Sequence, residues 1–172
     1  MRKIILLGYM GCGKSTIANR LSKITTIPCL DLDKCIEERT NLSIKEIFEL
    51  QGEIYFRKLE REVLIDLLNA PGDLILGLGG GTPCYANNHE LLKGDNIMSI
   101  YLKASVETLF ERLVSNKTKR PIIANKTDDE LKEFIAKHLF DRSFYYNQAQ
   151  YKVSIDGKSK DETTQDILDI LA

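Results

Sequence analysis

Ile4-Ile5-Leu6-Leu7-Gly8-Tyr9-Met10-Gly11-Cys12-Gly13-Lys14-Ser15-Thr16 decides the fold of this chain. Its first four residues are an unbroken apolar run, as a strand buried on both faces of a parallel sheet requires. Gly8 to Ser15 then match G-x-x-x-x-G-K-[ST] in full, with a helical pattern following. The glycines let the backbone wrap with its N–H groups turned inward, forming an anion nest at a helix N-terminus. Lys14 supplies a point charge for the β- and γ-phosphates of a nucleotide, and the Ser15 hydroxyl suits magnesium, with Thr16 beside it. Cys12 reads as a small filler, although a thiol at a helix N-terminus can also be activated.

Outward from this stretch, strands and helices alternate. The first helix runs from Lys14 with Ile17, Ala18, Leu21 and Ile24 expected inward. Cys29–Leu30 predicts a second short strand, closed by Asp31 and Asp33. Ser43-Ile44-Lys45-Glu46 is a capping box for a helix that Gly52 can end, and a longer helix follows with Phe56, Leu59, Val63, Leu64 and Leu67 at helical spacing. Leu74–Leu78 predicts a buried strand that empties into Gly79-Gly80-Gly81, and Ile97–Leu102 predicts another, followed by a helix over Val106–Leu113. Two further capping boxes, at Thr127–Glu130 and Ser159–Glu162, open helices on either side of a last strand at Tyr151–Ile155. The alternation implies βαβ units and one mostly parallel sheet between helical layers. Ser115 to Lys126 is polar and aperiodic, as a lid would be.

Composition narrows the partners. The 24 basic and 25 acidic residues leave a formal charge of -1, which gives no reason to expect nucleic acid or an anionic membrane. The 172 residues suit one domain with a real core. Four cysteines without a CxxC pair, and two histidines, argue against structural zinc. The basic-then-apolar start is cut short at Gly8, so a buried strand is expected rather than a secretory signal, and reduced thiols in a cytosol are expected with it. No run approaches the ~20 apolar residues of a membrane span.

The nucleotide cradle leaves the class of reaction open. Asn125-Lys126-Thr127-Asp128 matches the short N-K-x-D pattern by which GTPases read guanine, but no aspartate has glycine three residues on, and Thr127 is already explained as a helix cap. A kinase needs a second substrate site. Asp31 and Asp33 stand at a strand end, where ligands of open α/β sheets gather: one to help hold hydrated magnesium, the other to meet an acceptor hydroxyl. Gly79-Gly80-Gly81 removes every side chain where a ligand can touch backbone. Arg57, taken alone, reads more readily as a surface charge, and for Arg120 and Arg142 the plain alternative is a solvated cation. A lid arginine at Arg120 would stabilise the charge of a phosphoryl-transfer transition state.

Taken in order, Gly8–Thr16, Asp31-Leu32-Asp33, Phe56-Arg57 with Glu60, Leu78–Gly81, Arg120-Pro121, and Arg142 with Tyr145-Tyr146 resemble shikimate kinase across essentially the whole chain. The resemblance implies an α/β P-loop NTPase fold of the nucleoside-monophosphate-kinase type, with a central parallel sheet flanked by helices and a lid. It implies a single domain over residues 1–172, with substrate-binding helices over about 33–62 and the lid over about 113–127. By similarity, Gly11, Cys12, Gly13, Lys14, Ser15, Thr16 and Arg120 bind ATP, and Ser15 with Asp31 serves Mg2+. Asp33, Arg57, Gly79, Gly80, Gly81 and Arg142 hold shikimate, and Lys14, Asp33 and Arg120 are catalytic. A monomeric cytoplasmic enzyme of aromatic amino-acid biosynthesis is implied. A related small-metabolite kinase such as gluconate kinase, or a non-catalytic nucleotide-binding module, is the alternative. An arginine packing near adenine, with Arg112 as a neighbour by position, and adenine contacts near Lys158 or Ser159 are not placed by the sequence.

Overall fold

Strand β1 (Lys3–Leu7) lies at the centre of a five-stranded parallel sheet, in a computed structural model that describes all 172 residues. The others are β2 (Cys29–Asp31), β3 (Leu74–Gly77), β4 (Ile97–Lys103) and β5 (Tyr151–Ser154), in the order β2-β3-β1-β4-β5. Every residue of β1 is buried, which is why its apolar run shows no alternation. Because β1 pairs with β3 on one side and β4 on the other, the crevice of an open α/β sheet opens at its C-terminal end. In register, Leu6 sits beside Gly77, and Gly77 beside Asp31. Three loops therefore leave the sheet at one level.

Seven helices flank the sheet: α1 (Lys14–Thr25), α2 (Leu32–Thr40), α3 (Ile44–Asn69), α4 (Asn88–Leu91), α5 (Val106–Val114), α6 (Asp128–Tyr146) and α7 (Lys160–Leu171). One apolar cluster joins them to the strands through Leu21, Leu64, Leu109, Ile135 and Ile167. All three capping boxes form as expected, at Ser43, Thr127 and Ser159. Lys3 is buried on β1, and its ammonium donates to the carbonyls of Ala70 (2.7 Å) and Gly72 (2.9 Å), satisfying acceptors just past the end of α3.

Two expectations need correction. Ile24 is 60% exposed, because α1 ends one residue later and the chain leaves through Thr26 at φ 61°, so nothing covers the last turn. Asp33 does not lie on a strand end. A helix begins at Leu32, with the Asp31 side chain accepting the Lys34 N–H as its cap, so Asp33 sits in the first turn of α2.

Gly52 interrupts α3 rather than ending it: its φ of 83° and ψ of 171° break two helical runs that otherwise continue, and Phe48 and Phe56 pack across the break with ring centroids 4.6 Å apart. This backbone region is open almost only to glycine, while a methyl group there would meet nothing within 4 Å. Gly52→Ala therefore isolates backbone strain from clash. Urea unfolding is expected to show a loss of about 1–3 kcal/mol with an unchanged m-value.

Candidate active site

The loop between β1 and α1 is held from inside and from behind. Gly13 precedes α1 at φ 98°, a left-handed conformation that suits glycine. Lys14 Nζ donates to the carbonyls of Gly8 (2.7 Å) and Tyr9 (3.1 Å), keeping the ammonium against the loop. Cys12 is buried, and its N–H donates to the Tyr9 carbonyl at 3.2 Å. From α5, Arg112 Nη1 donates to the carbonyls of Gly11 (3.4 Å) and Cys12 (3.3 Å).

Ser15 and Asp31 come together although 16 positions apart: the serine hydroxyl donates to Asp31 Oδ2 at 3.4 Å. An alcohol and a carboxylate are hard oxygen donors, and no cluster of three or more His, Cys, Asp or Glu side chains is arranged for a metal. That sparse donor set fits magnesium, which takes few protein ligands and keeps water and phosphate oxygens for the rest. Asp33 lies beside this pair. Burial first, then the charges of Asp31 and Glu60, raise its carboxyl from 3.8 to about 6, against the opposing pull of Lys14.

Gly79, Gly80 and Gly81 are the surface on which the remaining candidates converge. A methyl at Gly79 would lie 3.2 Å from Asp33 Oδ1, one at Gly80 3.1 Å from Arg142 Nη1, and one at Gly81 3.0 Å from Arg57 Nη2. A side chain at each position would crowd the group beside it, so the run of glycines makes room for charge to gather. Glu60, only 1% exposed, is bound on both oxygens, one accepting from Arg57 Nη1 at 2.9 Å and the other from the Thr82 hydroxyl at 2.8 Å. It thereby ties α3 to the loop after β3. The Arg57 guanidinium lies 3.8 Å from the Tyr85 ring centroid, while its Nε has no hydrogen-bond partner. On α6, the Tyr146 hydroxyl donates to the Gly80 carbonyl. None of the protein's nine ion pairs involves Arg142 or Arg120. Both cations are free to meet an anionic ligand.

A cavity of about 360 Å³ is lined by Lys14, Ser15, Asp31, Asp33, Gly79 and Arg120 among others, but not by Arg57 or Arg142, which stand at Gly81 and Gly80. A second of about 840 Å³ shares Gly11, Gly13, Thr16 and Arg120 with it and extends to Arg112, Lys158 and Ser159. Arg120, exposed in the loop between α5 and α6, thus faces both. Of the sequence-predicted residues, Gly11, Gly13, Lys14, Ser15, Thr16, Asp31, Asp33, Gly79, Gly80 and Arg120 line the smaller cavity, whereas Cys12, Arg57, Gly81 and Arg142 do not. The structure also explains Asn125–Asp128 without guanine: Thr127 caps α6, and Asp128 takes the Lys117 ammonium at 3.3 Å. Sequence reasoning missed Tyr85 and the Tyr9 side chain, and it named Arg112 without placing it. Arg112 touches residues about 100 positions away, so no local pattern announces it.

A family model described as shikimate kinase matches residues 10–172. The chain is similar to a shikimate kinase of Flavobacterium johnsoniae, with 71% identity over the full length of both chains. Among solved structures, a shikimate kinase from Bacteroides thetaiotaomicron superposes with a TM-score of 0.89 at 34% identity, covering 99% of this chain and 98% of the other. A shikimate kinase from Acinetobacter baumannii in complex with shikimate superposes with a TM-score of 0.85 at 31% identity, covering 99% and 93%.

The raised Asp33 carboxyl has a consequence for stability. Its native value lies above its unfolded one, so the native state loses stability as pH rises from about 4 to about 6, and the loss persists above that. Asp33→Asn removes the charge and is expected to melt about 2–4 °C higher than wild type at pH 8. Calorimetry should show the gap closing towards pH 4. Equal melting points at pH 8 would mean the carboxylate bears no burial cost.

Proposed function

The chain belongs to the shikimate kinase family, and we propose that it phosphorylates the 3-hydroxyl of shikimate with ATP in the cleft between the Lys14 loop and Gly79–Gly81. The observation that carries this reading is the convergence of Asp33, Arg57 and Arg142 on the three glycines. Shikimate has a carboxylate at one end and hydroxyls at the other. Two guanidiniums suit the first and a carboxylate the second.

Each residue has a task in this mechanism. The backbone from Gly11 to Thr16 and the Lys14 ammonium would cradle the β- and γ-phosphates, with Arg112, Lys158 and Ser159 bordering the nucleoside. Ser15 and Asp31 would hold Mg2+, which when bound neutralises phosphate charge. Arg57, fixed by Glu60 and flanked by Tyr85, would clamp the carboxylate together with Arg142. Asp33, raised to about 6, is ionised at neutral pH and able to accept the proton of the hydroxyl. The hydroxyl oxygen attacks the γ-phosphorus, the bond from phosphorus to the bridging oxygen of ADP breaks, and the phosphoryl group moves in line. Positioning and charge stabilisation carry most of such a transfer. Arg120, on a lid over about 113–127, would close on the transferring group and exclude water. The helices over about 33–62 form the acceptor side.

One chain supplies every group of this cleft, which supports a monomer as the working unit. No helix is long and apolar enough to cross a membrane. With the ordinary surface charge balance, this supports a cytoplasmic enzyme.

Coupled ADP-release assays with shikimate, and gluconate as control, test the proposal. Turnover is expected with shikimate alone, giving a phosphorylated product; shikimate-independent ATP hydrolysis would contradict it. Arg57→Ala and Arg142→Ala are each expected to raise the shikimate KM about 10–100-fold while the ATP KM changes far less. Asp33→Asn is expected to lower kcat about 10²–10⁴-fold.

A further inference from the structure

His138, Arg142 and Tyr146 are spaced four apart on α6 and so lie on one stripe of the helix. Both ends of the stripe are fastened to the cleft. His138 Nδ1 shares a 3.0 Å hydrogen bond with the phenol of Tyr9, the second residue of the phosphate loop. The two rings meet edge to face at 5.6 Å, and Phe134 packs on the imidazole at 4.8 Å. At the other end, Tyr146 donates to the Gly80 carbonyl and packs on Tyr101 of β4 at 5.1 Å. Arg142 stands between, with its guanidinium carbon 5.7 Å from the Tyr9 ring centroid.

Arg142 differs from Arg57 in what holds it. Arg57 has the Glu60 carboxylate, whereas Arg142 has no ion pair, so its place at Gly80 depends on the aromatic groups around it. Tyr9 is 1% exposed, and burial pushes its phenol up to about 12, so the hydroxyl keeps its proton for the bond to His138. We propose that Tyr9 and His138 are positioning residues for Arg142: their hydrogen bond fixes α6 against the phosphate loop so that the guanidinium one turn on is presented at Gly80. The loop that cradles the phosphoryl donor thereby also sets the grip on the acceptor carboxylate. This deepens the proposed function and rests on its assignment of Arg142.

The test is a double-mutant cycle of Tyr9→Phe and His138→Leu, read as separate KM values for shikimate and ATP. Tyr9→Phe keeps the ring that fills the core and removes only the hydroxyl. Each single variant and the double variant are expected to raise the shikimate KM about fivefold, the double no more than either single, with the ATP KM within about twofold of wild type. His138→Asn, which keeps a polar atom near the Nδ1 position, is expected to recover most of the loss. Effects that multiply in the double variant, equal rises in both KM values, or a lowered melting point with an unchanged shikimate KM would each overturn the inference. Arg142→Ala separates the two levels. If it raises the shikimate KM while Tyr9→Phe does not, only the positioning role falls; if Arg142→Ala itself leaves the shikimate KM unchanged, the carboxylate clamp falls and the inference with it.

Discussion

Leu6, Gly77 and Asp31 lie side by side on three parallel strands, and the cleft follows from that register. Just past Leu6 begins the phosphate loop; just past Gly77 begin the three glycines; at Asp31 the chain turns into α2. Parallel pairing sends all three loops out of the same edge, and a one-residue slip of β3 would turn its side chains to the opposite faces. β1 and β3 are buried at every residue, so slippage would disrupt packing on both faces of the sheet. Hydrophobic burial thus fixes where polar chemistry can occur, although no buried leucine takes part in it.

Charge then has to be held in a site that the same burial partly dehydrates. The protein does this differently on each side. Glu60 is enclosed but satisfied on both oxygens, and it converts Arg57 from a mobile surface cation into a fixed group. Asp33 has no such partner and sits among Asp31, Glu60 and Glu37, with only Lys14 opposing them, so its carboxyl is raised. A carboxylate that is costly to ionise in the folded protein is a better proton acceptor than an exposed one. Stability is given up at the position where reactivity is wanted.

The sequence made most of this legible wherever a signal is local. The phosphate loop is one contiguous motif after a buried strand, and the three capping boxes are complete within four residues each. The start of α2 at Leu32 was harder to see, because Asp31 and Asp33 read as alternating along a strand until the cap on Lys34 N–H is known. Arg57, Arg120 and Arg142 could be singled out only as part of an ordered set, since each alone looks like a surface cation. Contacts between distant positions left no trace: Arg112 meets Gly11 across 101 residues, and Tyr9 meets His138 across 129. Packing of the sheet and helices brings these together, and no spacing rule anticipates it.

The central claim is that the phosphate loop and the two arginines serve one cleft. A crystal structure with shikimate, magnesium and a non-hydrolysable ATP analogue tests it most directly. The account predicts the carboxylate between Arg57 and Arg142, a ring hydroxyl within hydrogen-bond distance of Asp33, and the γ-phosphate in line with that hydroxyl above Lys14. Shikimate bound elsewhere, or with its carboxylate turned away from both guanidiniums, would contradict it.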